Sequence, residues 1–239
     1  MALAQAYAQR GVTLGLVARR SEKLQALAAT LPATCHLYPL DVADAAALAS
    51  AGQDFMQRAG TPDIVIANAG ISVGTLTEAA EDLPAFRRVF ETNVMGMAHT
   101  FQPFLAAMRQ AGAGRLVGIA SVAGIRGLPG AGAYCASKAA AIAYLESLRV
   151  ELRDSGIRVV TLAPGYIATP MTDKNPYPMP FLMPVEKAAR SMVRHIDRGS
   201  RFAVMPWPMG IVATLLKCLP RPIFDAAFAH AGRKPRGLP

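Results

Sequence analysis

Short apolar runs of strand length alternate with helical stretches along most of the chain, and this alternation constrains the fold more than any other feature of the sequence. Strands are expected at 12–18, 35–40, 63–67, 114–120, 157–162 and 201–205, and helices at 2–10, 21 to about 30 with Ser21 as N-cap, 44–59, about 84–111 and 131–154. Runs such as Ile64-Val65-Ile66-Ala67 are apolar at every position. A strand with no polar face must be covered on both sides, which argues for a parallel sheet between two helical layers, a doubly wound α/β fold. Such sheets bind ligands at the carboxyl ends of their strands. Arg19, Asp41, Asn68, Ser121 and Pro164-Gly165 each fall at or just after a strand end, so five strands would bring polar or turn residues to one rim.

Composition narrows the function classes. A chain of 239 residues with 52% hydrophobic and 17% charged residues suits one domain with a sizeable core. Cys35, Cys135 and Cys218 lie far apart, so no disulfide framework or metal site is expected, and a reducing cytoplasm fits. The first residues have no basic segment followed by an unbroken apolar run, so they do not read as a secretory signal. The net charge of +9 is concentrated around Arg19-Arg20 and beyond Arg190; no aromatic residues interleave with it, which argues against nucleic acid and leaves anionic ligands or surfaces.

Tyr134-Cys135-Ala136-Ser137-Lys138 carries the chemistry. Residues four apart share a helix face, so the Lys138 ammonium and the Tyr134 phenol can reach one pocket. A fixed cation favours phenolate and moves the tyrosine's proton affinity toward working pH. Chance alone supplies roughly 0.15 such pairs in a chain of this composition, so the pair is weak by itself. Ser121 lies thirteen residues earlier at a strand end, and Asn93 lies within the preceding long helix.

With Asn93, Ser121, Tyr134 and Lys138 in this order and spacing, residues 2 to about 205 resemble the short-chain dehydrogenase/reductase family. Asn68-Ala69-Gly70 is similar to the family's Asn-Asn-Ala-Gly signature with Ala67 in place of the first Asn. Asp41-Val42 resembles its adenine-contact site, and Pro164-Gly165-Tyr166-Ile167-Ala168-Thr169 its nicotinamide-contact loop, in which Pro164, Gly165, Ile167 and Thr169 are the candidate contacts. The resemblance implies a Rossmann-like fold and hydride transfer between a nicotinamide cofactor and a carbonyl or secondary alcohol. Tyr134 would be the general acid/base and Ser121 would orient the substrate oxygen. Lys138 would hold the nicotinamide ribose and lower the tyrosine's proton affinity, and Asn93 would anchor a relay water. The rival expectation is a non-catalytic binding or scaffold protein of the same fold.

Ala18-Arg19-Arg20 carries no acid to bind a ribose hydroxyl, so NADP(H) is expected in preference to NAD, with Arg19 or Arg20 on the 2′-phosphate. The family's first strand and glycine-rich phosphate loop have no counterpart; the expectation is a fragment or misassigned start, with a true variant lacking cofactor binding as the alternative. The Pro- and Met-rich stretch 166–184 suits a lid over an apolar carbonyl or alcohol substrate. The domain is expected to span 1–205, with an apolar helix and basic tail at 206–239 packed on it. Residues 206–222 are too short to span a bilayer but suit a peripheral membrane contact or a subunit contact, and a homodimer or homotetramer is expected from the family.

Overall fold

The computed structural model describes residues 1–173 and 175–237; the expectations for the lid and tail thus include Lys174, Leu238 and Pro239, which lie outside the described residues. The chain folds into one α/β domain of the expected Rossmann-like type. In chain order the elements are α1 (Ala2–Ala8), β1 (Leu14–Val17), α2 (Ser21–Ala28), β2 (Cys35–Tyr38), α3 (Ala45–Ala59), β3 (Ile64–Ala67) and α4 (Leu83–Phe90). They continue with α5 (Gly96–Ala111), β4 (Gly114–Ile119), α6 (Gly132–Glu151), β5 (Ile157–Pro164), α7 (Val185–Arg198), β6 (Phe202–Met205), α8 (Trp207–Cys218) and α9 (Arg221–Phe228).

Every ladder is parallel, but the strands form two sheets. β1 pairs only with β2, and β3, β4, β5 and β6 follow one another in a second sheet. The edges of β1 and β3 are not bonded to each other; between them lies a cavity of about 440 Å³ lined by Gly15 and Val17 on one side and Ile64 and Ile66 on the other.

Both faces of the larger sheet are covered, which explains why its strands are apolar on both sides apart from Arg115, Arg158 and Thr161. Leu116 and Val159 join Phe101, Met108 and Leu145 of α5 and α6 in one core. Their chain neighbours Val117 and Val160 turn to the opposite face and pack with Tyr7 of α1 and Ile196 of α7. Phe101, Leu116 and Leu145 are fully buried; burial of such a side chain contributes about 1.5–3 kcal/mol.

Two local expectations need correction. Ser21 is the first helical residue of α2, and the cap position belongs to Arg20, which makes no side-chain cap bond. Asp44 does cap α3, its Oδ1 accepting the Ala47 N–H at 2.9 Å. The helix expected at about 84–111 is interrupted by a π-helical turn, Glu91–Met95, between α4 and α5. A π turn contains one residue more than the α-helical repeat and often marks a functional position; here it holds Asn93. Among the described residues no helix is long and apolar enough to cross a membrane. Trp207, Ile211 and Leu215 form an exposed apolar stripe on α8.

Candidate active site

Parallel strands ending together place the candidate residues on one rim. Asn68, Ala69 and Gly70 follow β3, Ser121 follows β4, and Pro164 and Gly165 close β5, with register pairs Ala67–Gly118 and Ile119–Leu162 keeping the ends level. Ser121 leaves β4 in extended conformation, and its Oγ accepts the Ala123 N–H at 3.2 Å and donates to the Pro164 carbonyl at 3.4 Å. The same hydroxyl lies near enough to the Tyr134 phenol to act on its proton affinity. Tyr134 sits in the first turn of α6, and Lys138 one turn later carries its ammonium to 5.9 Å from the Tyr134 ring centroid.

Lys138 is 5% exposed, and its Nζ donates to the Ile119 carbonyl at 2.8 Å. Burial lowers its pKa to about 8. Tyr134 departs from expectation: burial raises its pKa, against which the nearby Ser121 hydroxyl works. Lys138 does not offset that burial, because its ammonium is committed to a backbone carbonyl rather than to the phenol.

The lowered lysine pKa has a consequence for stability. Below about 8 the folded chain carries a buried ammonium that the unfolded chain, with a lysine pKa of 10.5, keeps solvated. Between these values the unfolded state binds more protons, so stability rises with pH. The ammonium thus costs on the order of 3 kcal/mol at neutral pH, and that cost is relieved as pH passes from about 8 to 10.5. Thermal melts across this range should show the rise in wild type, and Lys138→Met should abolish that part of it.

Asn93 is 1% exposed and fully engaged. Its Oδ1 accepts the Ile71 N–H at 2.8 Å, and its Nδ2 donates to the Ile71 carbonyl and to Ser137 Oγ, both at 3.0 Å. The π turn therefore ties the loop after β3 to α6. Gly70 fits against this tie: a Cβ there would lie 3.3 Å from Asn93 Oδ1 and 3.5 Å from Lys138 Nζ.

Arg19, Arg20, Asp41, Val42, Asn68, Ala69 and Gly70 line the cavity between the two sheets. The sequence shows no acid after β1, yet the next strand supplies one, because β2 runs beside β1 and ends at the same rim. Asp41 lies 3.9 Å from the Arg19 guanidinium and is hydrogen-bonded by Arg88 Nη2. Burial raises the Asp41 pKa, but the Ala43 N–H and the two guanidinium groups outweigh it and hold the carboxyl below its ordinary value. Arg88 was not foreseen; its charge lies on a helix with nothing in the local pattern to mark its partner.

Beyond β5, Ile167 pairs with Met183 across the neck of the segment expected to be a lid, and Thr169 is drawn into a local turn, its amide bonded to Thr172 Oγ1 at 3.0 Å. Pro164 reaches Ser121 directly, whereas Thr169 is held by its own loop rather than by the Ser121, Tyr134 and Lys138 cluster. Also unforeseen are Thr75, whose Oγ1 accepts the Ala133 N–H at 3.3 Å at the start of α6, and the segment after α9, which lies over Tyr134.

The polar rim of the cavity suits a dinucleotide, while its interior between β1 and β3 is walled by apolar side chains such as Val17, Phe55 and Ile66. It runs from the guanidinium groups at Arg19 to the glycine cradle beside Asn93 and Lys138.

Comparison with known proteins agrees with this geometry. The family profile for short chain dehydrogenase matches residues 1–178. A Myxococcus xanthus protein named an uncharacterized oxidoreductase is 40% identical over 223 residues, covering 92% of this chain and 88% of the relative. A 2-dehydro-3-deoxy-L-rhamnonate dehydrogenase (NAD(+)) from a Sphingomonas species is 37% identical over 155 residues, 65% of this chain and 62% of that protein. Among solved structures, a short-chain dehydrogenase from Streptomyces avermitilis superposes with a TM-score of 0.76 at 25% identity, over 95% of this chain and 90% of its own. The chain belongs to the short-chain dehydrogenase/reductase family and is an NAD(P)-dependent oxidoreductase acting on CH–OH groups.

Proposed function

We propose that the protein interconverts apolar carbonyl compounds and secondary alcohols with NADP(H), and that Tyr134 exchanges the proton on the substrate oxygen. The observation that carries this reading is the convergence at the end of β4 of Ser121, bonded to the Pro164 carbonyl, with Tyr134 and Lys138 from the first turns of α6. A carbonyl oxygen placed there meets two hydroxyl donors, and as negative charge develops on it the phenol delivers its proton. The raised tyrosine pKa keeps the phenol protonated and ready to donate. The bound nicotinamide supplies or accepts the hydride. Lys138 would exchange its Ile119 bond for the ribose hydroxyls, and Asn93, besides the proton relay expected of it, fixes the Asn68–Ile71 turn through both bonds to Ile71. Pro164, Gly165, Ile167 and Thr169 would face the nicotinamide from the β5 end, and Met171, Met179 and Met183 in the lid would adapt to an apolar substrate.

At the other end of the cavity, Arg19 and Arg20 stand exposed and suit a 2′-phosphate, while Asp41 and Val42 would meet the adenosine. The slot between β1 and β3 suits one further extended segment, which would pair both open edges and bring backbone amides to the pyrophosphate. Arg19→Asp should raise the KM for NADPH by about 10–100-fold, the value of a charge-assisted hydrogen bond, and leave that for NADH within about threefold. Steady-state kinetics with both cofactors check this; equal effects on the two would remove the phosphate assignment.

A further inference from the structure

The segment after α9 crosses the substrate side of Tyr134 as a strap, and its attachment is extensive. The Gly74 N–H donates to the Pro235 carbonyl at 2.8 Å, and Gly74 and Arg236 form a parallel bridge. Arg236 Nε donates to Asp82 Oδ2 and its Nη2 to Glu81 Oε1, both at 2.7 Å. Asp82 is 5% exposed and also accepts the Leu76 N–H at 2.8 Å, so the clamp rests on a fixed buried carboxylate. The strap follows the surface closely: a Cβ on Gly74 would fall 2.2 Å from the Lys234 carbonyl oxygen, and one on Gly130 2.9 Å from Arg233 Cβ.

This clamp holds Lys234 with its ammonium 5.6 Å from the Tyr134 ring centroid. Lys138 and Lys234 thus both approach the same ring, but only Lys138 is committed, to the Ile119 carbonyl. Glu81 and Asp82, the acids at the strap, are taken by Arg236. Among the described residues no carboxylate lies within ion-pair distance of Lys234, and its Nζ makes no hydrogen bond. The ammonium is partly buried, and burial lowers its pKa, the mark of a cation short of compensation. The strap, pinned just beyond the lysine at Pro235 and Arg236, directs the ammonium over the face of the Tyr134 ring rather than to water.

We propose that Lys234 binds an anionic group, such as a carboxylate, on the substrate whose carbonyl oxygen meets Tyr134. The inference rests on the oxidoreductase reading above and narrows its substrate class: a carbonyl compound with an apolar skeleton and an acid group, an oxo acid or the corresponding hydroxy acid. Lys234 is then a specificity residue, and the clamp of Arg236 on Asp82 sets its position.

The test combines binding and kinetics on the full chain. Calorimetric titration with hexanoate and with hexanamide, equal in length and differing in charge, should show the acid preferred in wild type. Lys234→Met should reduce that preference about 10–100-fold, and Lys234→Arg should restore most of it. With NADPH present, the ratio of kcat/KM for a medium-chain oxo acid to that for the methyl ketone of equal length should fall by a similar factor in Lys234→Met. Gly74→Ala, which drives the strap off its seat, should lower the same ratio. No preference for hexanoate in wild type, or a preference unchanged in Lys234→Met, overturns the proposal. Hexanoate binding that depends on Lys234 in a protein that reduces no carbonyl compound upholds the anion site and counts against the catalytic reading instead.

Discussion

Tyr134→Phe is expected to lower kcat by about 10²–10⁴-fold, the usual contribution of a positioned general acid, while the affinity for NADPH stays within about threefold. The substitution removes one oxygen from a ring at the start of α6 and leaves the backbone that holds it unchanged. The lost oxygen is the phenol that Ser121 acts on; the neighbouring Tyr166 and Tyr177 rings lie with centroids 6.4 Å apart beyond β5. Single-turnover oxidation of NADPH, followed with saturating ketone, separates this loss from any change in binding. A variant that retains wild-type turnover would assign the proton to another group.

Asn93→Ala should be the most destabilising change near the site. It removes three hydrogen bonds at once and leaves the Ile71 amide, the Ile71 carbonyl and the Ser137 hydroxyl without the partner that now satisfies them. A buried donor or acceptor left unsatisfied costs about 1–3 kcal/mol. Ser137 keeps its bond to the Tyr134 carbonyl, so the cost falls mainly on Ile71, and a total of about 2–4 kcal/mol is expected. Because the loop after β3 and the first turns of α6 are tied through this side chain, the loss should also loosen Gly70 and weaken NADPH binding. Urea unfolding and cofactor titration of the same variant measure both effects. Unchanged stability would mean that water replaces the amide fully and that the π turn has no structural need of Asn93.

The alternation of strands and helices was legible because each strand of the larger sheet is apolar on both faces, and the structure buries Leu116 and Val117 on opposite sides of one strand. The grouping of Ser121, Tyr134 and Lys138 was legible for a related reason: one strand end and one helix face determine it, and both leave short-range signals. The π turn was not, since a single additional residue barely disturbs helical periodicity over 84–111. Nor was the acid beside Arg19, which comes from a neighbouring strand rather than from the same loop. The strap was hidden most completely. Its clamp joins Arg236 to Asp82 across 154 residues, and a stretch of Gly, Pro, Arg and Lys reads locally as a solvated tail. The tyrosine's raised proton affinity was hidden for a similar reason: spacing places Lys138 near the ring, but the fold buries the phenol and the Ile119 carbonyl holds the ammonium.

Deuterium transfer tests the central claim most directly. Wild-type protein is given a ketone and NADPH carrying deuterium at the hydride position, and the product alcohol is examined by mass spectrometry and NMR. Stoichiometric deuterium on the carbinol carbon, with a single configuration, is the result expected of hydride transfer at the rim formed by Ser121, Tyr134 and Lys138. Unlabelled alcohol, or no alcohol from any ketone while NADPH is bound, would contradict it.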